Sequence, residues 1–388
     1  MAQVHIIATL VSLARHGLYL CITEAQNARL FIMLNFGQLV HTVQHNCHIS
    51  DARYAGEFTL CVYLLKMREY YRWEHELPLT RELPRHDVGS WLQEREQLWE
   101  GLESQTFALV PLPTGPVDPF QSETINAALV PHGYAYSAGY GRFHKPHFFL
   151  GRLVRNEVRD GCNVYVTACE YARDLEAPPA MLQGNNIFVR QESVRRFLWE
   201  KIEERHWNRN NRALETALAA YDLSHDLERE LTRLTEAETE TMVLHETGEA
   251  IAGRALGKAW EEMLLALPRR TEIMARAVRD LVADCVSTIP RLIDSGARPS
   301  LHFLFGNFSG MRRQLFPELL AAYREFAEHG STCALRSAAR DGEQRWLETA
   351  RQMLDLFAAH GEDAPPRIEA LLESAGNCSG TETKARHA

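Results

Sequence analysis

Apolar side chains recur at helical spacing over most of this chain, and the places where that spacing fails are as informative as those where it holds. Phe36, Leu39, Val40, Val43 and Cys47 fall on one side of a 3.6-residue period. Ser50 and Asp51 are cap-type residues, so a second helix is expected from there to about Glu76, with Leu60, Leu64, Met67 and Tyr71 as its stripe. Pro78 and Pro84 interrupt. Asp87 then precedes Val88, Trp91, Leu92, Leu98, Trp99 and Leu102, a third amphipathic stretch. Pro111, Pro113, Pro116 and Pro119 mark residues 105–122 as loop or linker. Asp118-Pro119, a cap followed by proline, opens a short helix to about Val130.

The pattern changes after that. Runs from Tyr134, Pro146, Asn163 and Asn186 are aromatic and β-branched and are bounded by glycine, which predicts a small sheet between about 133 and 190. From Gln191 helical spacing returns, with helices expected near 191–207, 209–222, 225–257, 271–295, 311–329, 340–360 and 366–374. The predicted fold is α+β and predominantly α: a helical bundle with a small antiparallel β insertion. Its segments are an N-terminal extension (1–32), a helical segment (33–104), a loop- and β-rich insertion (105–190), a C-terminal helical bundle (191–375) and a polar, frayed tail (376–388).

Composition narrows the function classes. The 388 residues are 45% apolar and 24% charged, enough to bury a substantial core. A net charge of -9 argues against a nucleic-acid-binding surface. No run of ~18 apolar residues marks a membrane span. The eight cysteines are scattered with no C-x-x-C pair, which reads as reduced thiols and a cytoplasmic protein. Arginine greatly outnumbers lysine, a bias that suggests a GC-rich, bacterial coding sequence. Ile6 to Ala14 is apolar but lacks the positive flank and cleavage site of a signal peptide. Met33 is an alternative natural start, with the preceding residues as an upstream extension.

One helix breaks the apolar rule. Starting near Ser224, its residues Leu227, Leu231, Leu234, Met242, Ala252 and Leu256 lie within a sector of about 80°. Glu238, His245 and Glu249 fall in the same sector. Charged side chains at core positions are costly unless paired or bound to a metal. His245 and Glu249 are four apart and stand one above the other. Glu246 is on the flank, placed to act as a base, and Gly248 suits close approach by another helix. The pattern suggests a carboxylate–histidine metal site, although neither Glu-x-x-His nor His-Glu-x-x-His is matched. The competing reading ends or bends the helix near Glu240 and leaves the stretch Glu236-Ala-Glu-Thr-Glu240 as a solvated face.

Other ligands must come from elsewhere in the chain. Glu74 ends the second helix, and His302 sits in the apolar run Leu301-His-Phe-Leu-Phe. Asp280 and Asp284 lie on the flank and outer side of their helix, where ion pairs with Arg276 or Arg279 are expected. His41, His45 and His48 line up opposite the apolar stripe and read as a solvated face. In the β insertion, Gly139-Tyr-Gly with Arg142, Lys145, Arg152, Arg155 and Arg159 is a basic, glycine-rich segment where an anionic ligand could dock.

The block from Cys47 to Gly56, continuing through Leu64 to Glu74, resembles an uncharacterised bacterial family of mainly helical proteins. Ala172-Arg-Asp-Leu with Pro178-Pro-Ala-Met, and His245-Glu-Thr-Gly-Glu, are similar to it as well. The family has no assigned function, so the resemblance implies no residue roles. The residues themselves lead to a metal-dependent, oxidoreductase-like protein. It would use iron or manganese held by Glu238, His245, Glu249, His302 and Glu74, with Glu246 as catalytic group and a small molecule as substrate. The alternative is a non-catalytic binding protein that uses the basic β insertion. Neither reading involves nucleic acid or membrane.

Overall fold

The computed structural model describes residues 35–141, 144–204, 210–308 and 310–377. The expectations for residues 1–32, for a start at Met33 and for nearly all of the tail lie outside that range. No described helix is long and apolar enough to cross a membrane.

Helix α1 (Phe36–Tyr54) begins at Asn35, whose Oδ1 accepts the Gln38 N–H. Ser50 and Asp51 lie inside this helix and cap nothing. Each has a tertiary partner instead: Ser50 Oγ donates to the Pro146 carbonyl, and Asp51 accepts from Lys145 Nζ at 2.9 Å and from the Leu175 N–H. A short 3-10 turn leads to α2 (Leu60–Glu74), and α3 (Arg85–Glu100) follows.

The proline-rich segment is not only linker. It contains the hairpin β1 (Val110–Leu112) and β2 (Gly115–Val117), with Pro111 opposite Pro116. Proline is tolerated there because both strands are edges and neither needs every N–H. Helix α4 (Ser122–Leu129) starts three residues after Pro119.

Strands β3 (Tyr134–Tyr140), β4 (Pro146–Arg159), β5 (Cys162–Arg173), β6 (Ala180–Gln183) and β7 (Asn186–Arg190) form one sheet in the order β3-β4-β5-β7-β6. The sheet is mixed rather than antiparallel, because β5 and β7 run parallel from Asn163↔Asn186 to Thr167↔Arg190. The chain leaves β5, returns one position out as β6, then turns back as β7 into the gap, which forces the parallel pair.

The remainder is helical: α5 (Gln191–Glu204), α6 (Arg212–Leu218), α7 (Leu227–Leu256), α8 (Lys258–Ala266) and α9 (Arg269–Ala283). A π-helical turn (Asp284–Thr288) joins α9 to α10 (Ile289–Asp294). Then come α11 (Arg298–Gly306), α12 (Gly310–Leu315), α13 (Pro317–His329), α14 (Cys333–His360) and α15 (Pro365–Asn377). Two helices expected to be continuous are therefore broken. Pro317 separates α12 from α13. Pro290 has no N–H to return to residue 286, and the turn before it widens so that the Ile289 N–H reaches the Asp284 carbonyl.

Helix α7 positions the site. Asp226, two residues past the expected Ser224, caps it by accepting the Arg229 N–H, and the helix then runs unbroken for 30 residues. The bend near Glu240 does not occur. Glu240 instead reaches the sheet, where Arg155 and Arg159 bind its carboxylate. Both sides of α7 are covered. Leu231, Leu234, Val243 and Ala250 pack with Val164, Val166, Ile187 and Leu198, whereas Leu244, Ala252 and Leu256 pack with Val278, Leu281 and Trp346.

Candidate metal and substrate site

Helices α7 and α9 cross at Gly248. A Cβ there would lie 2.4 Å from the Ala283 carbonyl oxygen and 2.8 Å from the Ala283 Cα, so only glycine permits this approach. The close crossing brings the i, i+4 pair His245/Glu249 against the i, i+4 pair Asp280/Asp284. His245 faces Asp284 and Glu249 faces Asp280 and Arg279, so the two helices run antiparallel.

The two carboxylates that anchor the cluster divide their oxygens. Asp284 Oδ1 lies 2.9 Å from His245 Nδ1, while its Oδ2 takes Arg312 at 2.9 Å. Glu249 Oε2 takes Arg279 at 2.8 Å, while its Oε1 faces His245 Nε2 at 3.7 Å. Asp280 hydrogen-bonds Glu249. One ligand atom from each of His245, Glu249 and Asp280 lies within 4.8 Å of the other two. Asp284 is fully buried, and the His245 side chain is 24% exposed.

The electrostatics follow from burial and from these pairs. Burial alone would lower the His245 pKa, but Asp284 and then Glu249 raise it well above the usual histidine value. Glu249 is desolvated, yet Arg279 and His245 hold it well below the ordinary carboxylate range. Asp280 is pushed up to about 6 by burial and by Glu249. Glu246 is pushed up to about 8 by the same two causes. Burial raises Glu238 to about 8 as well, although Ser300 Oγ donates to its Oε1 at 2.8 Å.

A solvent-open cleft of about 180 Å³ adjoins the cluster. Its walls are Phe197, Met242, Phe303 and Leu304; its polar positions are Glu238, Thr241, His245, Glu246, Thr288, Asn307 and Arg312. Thr288 is fully buried, and its hydroxyl has no hydrogen-bond partner among the described residues. Apolar walls with a few convergent polar groups are what small-molecule sites look like.

Of the residues named from sequence, His245 and Glu249 come together in the cluster, and Glu238 and Glu246 line the cleft beside it. Glu74 and His302 do not join them. Glu74 ends α2 among the aromatic side chains of the N-terminal half, where Arg95 and the Trp91 indole N–H bind it. His302 is on α11 but outside the cleft, with its Nδ1 2.9 Å from the Tyr323 hydroxyl.

Asp280 and Asp284 complete the cluster, and the sequence reading had put them on the flank and outer side of α9. That reading assumed one buried face. In the structure α9 is enclosed by α7 on one side and by α14 on the other, so its flank is interior too. Arg276 pairs with Glu272 on α9 itself, leaving Arg279 for Glu249. The matching four-residue spacings on α7 and α9 were the signal that could have joined them. Arg312 and Thr288 had no signal in sequence.

One further expectation is corrected. His48 is not on a solvated face: burial, and then Arg95, lower its pKa to about 3, and it contacts Arg95 and the Trp99 indole. Three cations of the basic β insertion are taken up by internal pairs. Lys145 is buried against Asp51, and Arg155 and Arg159 pair with Glu240 and Glu157. Arg142 lies outside the described residues.

Comparison with known families places two models on the chain. The N-terminal domain of a family of unknown function (DUF6866) matches residues 38–190, and the C-terminal domain of the same family matches residues 195–375. No curated protein and no solved structure matches.

Proposed function

We propose that this chain, which belongs to the DUF6866 family of unknown function, is a metal-dependent, oxidoreductase-like protein that holds iron or manganese between α7 and α9. The ligands on this reading are His245, Glu249 and Asp280, and the substrate is a small molecule in the adjoining cleft. The observation that carries it is the division of His245. Its Nδ1 is fixed by Asp284, while its Nε2 is directed at Glu249 Oε1 across 3.7 Å. A carboxylate on the far ring nitrogen is the usual support of a metal-binding histidine.

The donor spacing fits the same reading. Ligand bonds of about 2.0–2.2 Å put pairs of donor atoms roughly 3–4.4 Å apart. The observed spread of up to 4.8 Å needs only a small contraction. One imidazole and two carboxylates suit manganese or iron. On this reading the helices from Gln191 onward act as a bundle that carries carboxylate and histidine donors on facing helices. Such an ion would supply Lewis-acid and redox chemistry.

The chain's own groups have separate tasks. Asp284, held by Arg312, sets the ring orientation of His245. Arg279 occupies one oxygen of Glu249 and leaves the other directed at the donors. Glu246, whose carboxyl burial and Glu249 push up, lines the cleft where it could exchange a proton with a bound substrate. Phe197, Met242, Phe303 and Leu304 exclude water from one side.

The test is elemental analysis of the full chain after anaerobic loading with Fe(II) or Mn(II) and removal of free ion. About one equivalent in the wild type, lost in His245→Ala and in Glu249→Gln, is expected. No bound metal, or equal metal in His245→Ala, refutes the proposal.

A further inference from the structure

The inside of the cleft points to a class of ligand. Four of its lining residues are apolar, and Thr288, His245 and Arg312 are among the polar ones. Thr288 sits in the π-helical turn, fully buried, with a hydroxyl that has no hydrogen-bond partner among the described residues. A buried unpaired hydroxyl costs free energy, and a ligand oxygen in the cleft would remove that cost. Its neighbour Ser287 is spoken for, because it donates to the Leu244 carbonyl at 2.7 Å and fixes the turn against α7. The turn therefore holds one hydroxyl against the helix and leaves the next one unsatisfied beside the cleft.

Arg312 is the cation of the cleft. It gives one nitrogen to Asp284 Oδ2 and keeps 22% of its side chain exposed. We infer that the cleft binds a small monocarboxylate with an apolar body, the Thr288 hydroxyl and the Arg312 guanidinium holding the carboxylate and Phe197, Met242, Phe303 and Leu304 enclosing the rest. This rests on the reading of the cleft as the substrate pocket and deepens it by naming the substrate class.

The other groups agree with a singly charged head. Glu238 would repel an anion if it were ionised, and burial, which pushes its carboxyl up to about 8, disfavours that charge. Asp284 is covered by His245 and Arg312. Arg312 and His245 are both already paired with carboxylates, which leaves too little positive charge for a phosphate dianion.

The experiment is calorimetric titration of the full chain with octanoate and with octanamide, its uncharged counterpart, in metal-stripped and metal-loaded protein. Octanoate is expected to bind at least about tenfold more tightly than octanamide, the scale of a charged hydrogen bond. Thr288→Val should weaken octanoate by about tenfold or more, and Thr288→Ser should retain it. Because this hydroxyl has no partner among the described residues, Thr288→Val should unfold at the same temperature as the wild type or above. Equal affinity for octanoate and octanamide, or unchanged octanoate affinity in Thr288→Val, overturns the inference. Octanoate binding to a protein that takes up no metal would sink the metal site alone and leave this inference standing.

Discussion

Replacing Glu238 by glutamine removes one titratable proton from the cleft wall and keeps the size of the side chain. The native carboxyl is 1% exposed, accepts from Ser300 Oγ, and is pushed by burial from 4.5 up to about 8. The sign follows from proton counting. Between pH 4.5 and 8 the folded state holds a proton that the unfolded state has lost, so stability falls as pH rises through that window and is level outside it. Each pH unit is worth ~1.4 kcal/mol, which makes the loss about 4–5 kcal/mol across the whole window. Glu238→Gln should not show this loss. Urea unfolding of both proteins at intervals from pH 4.5 to 9 measures the difference. The variant should gain on the wild type steadily up to about pH 8 and then run level with it. Parallel pH curves would show that Glu238 is ionised in the folded protein and that the neutral wall of the cleft is wrong.

Other substitutions examine separate parts of the structure. Gly248→Ala puts a methyl into the Ala283 backbone; an overpacking cost of roughly 1–3 kcal/mol is expected in urea unfolding, together with reduced metal uptake as α7 and α9 part. An unchanged stability would mean the helices do not touch there. Lys145→Met leaves Asp51 buried without its cation and should cost about 3–5 kcal/mol, with much of the loss recovered when Asp51→Asn is added. Additive losses would contradict the pairing. Glu74→Gln and His302→Phe should leave metal content unchanged by elemental analysis, since neither residue reaches the α7/α9 cluster.

Much of the architecture can be read from local pattern, since periodicity and glycine-bounded strands are local properties. The α7 sector is the clearest case. Its period placed Glu238, His245 and Glu249 among core residues, and the helix is continuous enough for the phase to hold. What escaped depends on the number of neighbours an element has. Asp280 and Asp284 looked peripheral because one stripe was taken as the whole buried surface of α9, which in fact packs on two sides. His48 and the pair Ser50/Asp51 were misplaced for a related reason. Residues 46–51 of α1 are buried all the way round, with partners on α3, β4 and the segment after β5. Glu74 and His302 were recruited on residue type, and only the tertiary fold shows that Arg95 and Tyr323 already hold them. The direction of β7 likewise depends on where β6 returns, which no local pattern records.

Crystals loaded with Mn(II) and measured at the manganese absorption edge would show directly whether a metal ion binds between α7 and α9. One anomalous peak is expected within about 2.0–2.3 Å of His245 Nε2 and of carboxylate oxygens from Glu249 and Asp280. No peak there, or a peak elsewhere while His245 Nε2 stays directed at Glu249, would contradict the proposed metal site.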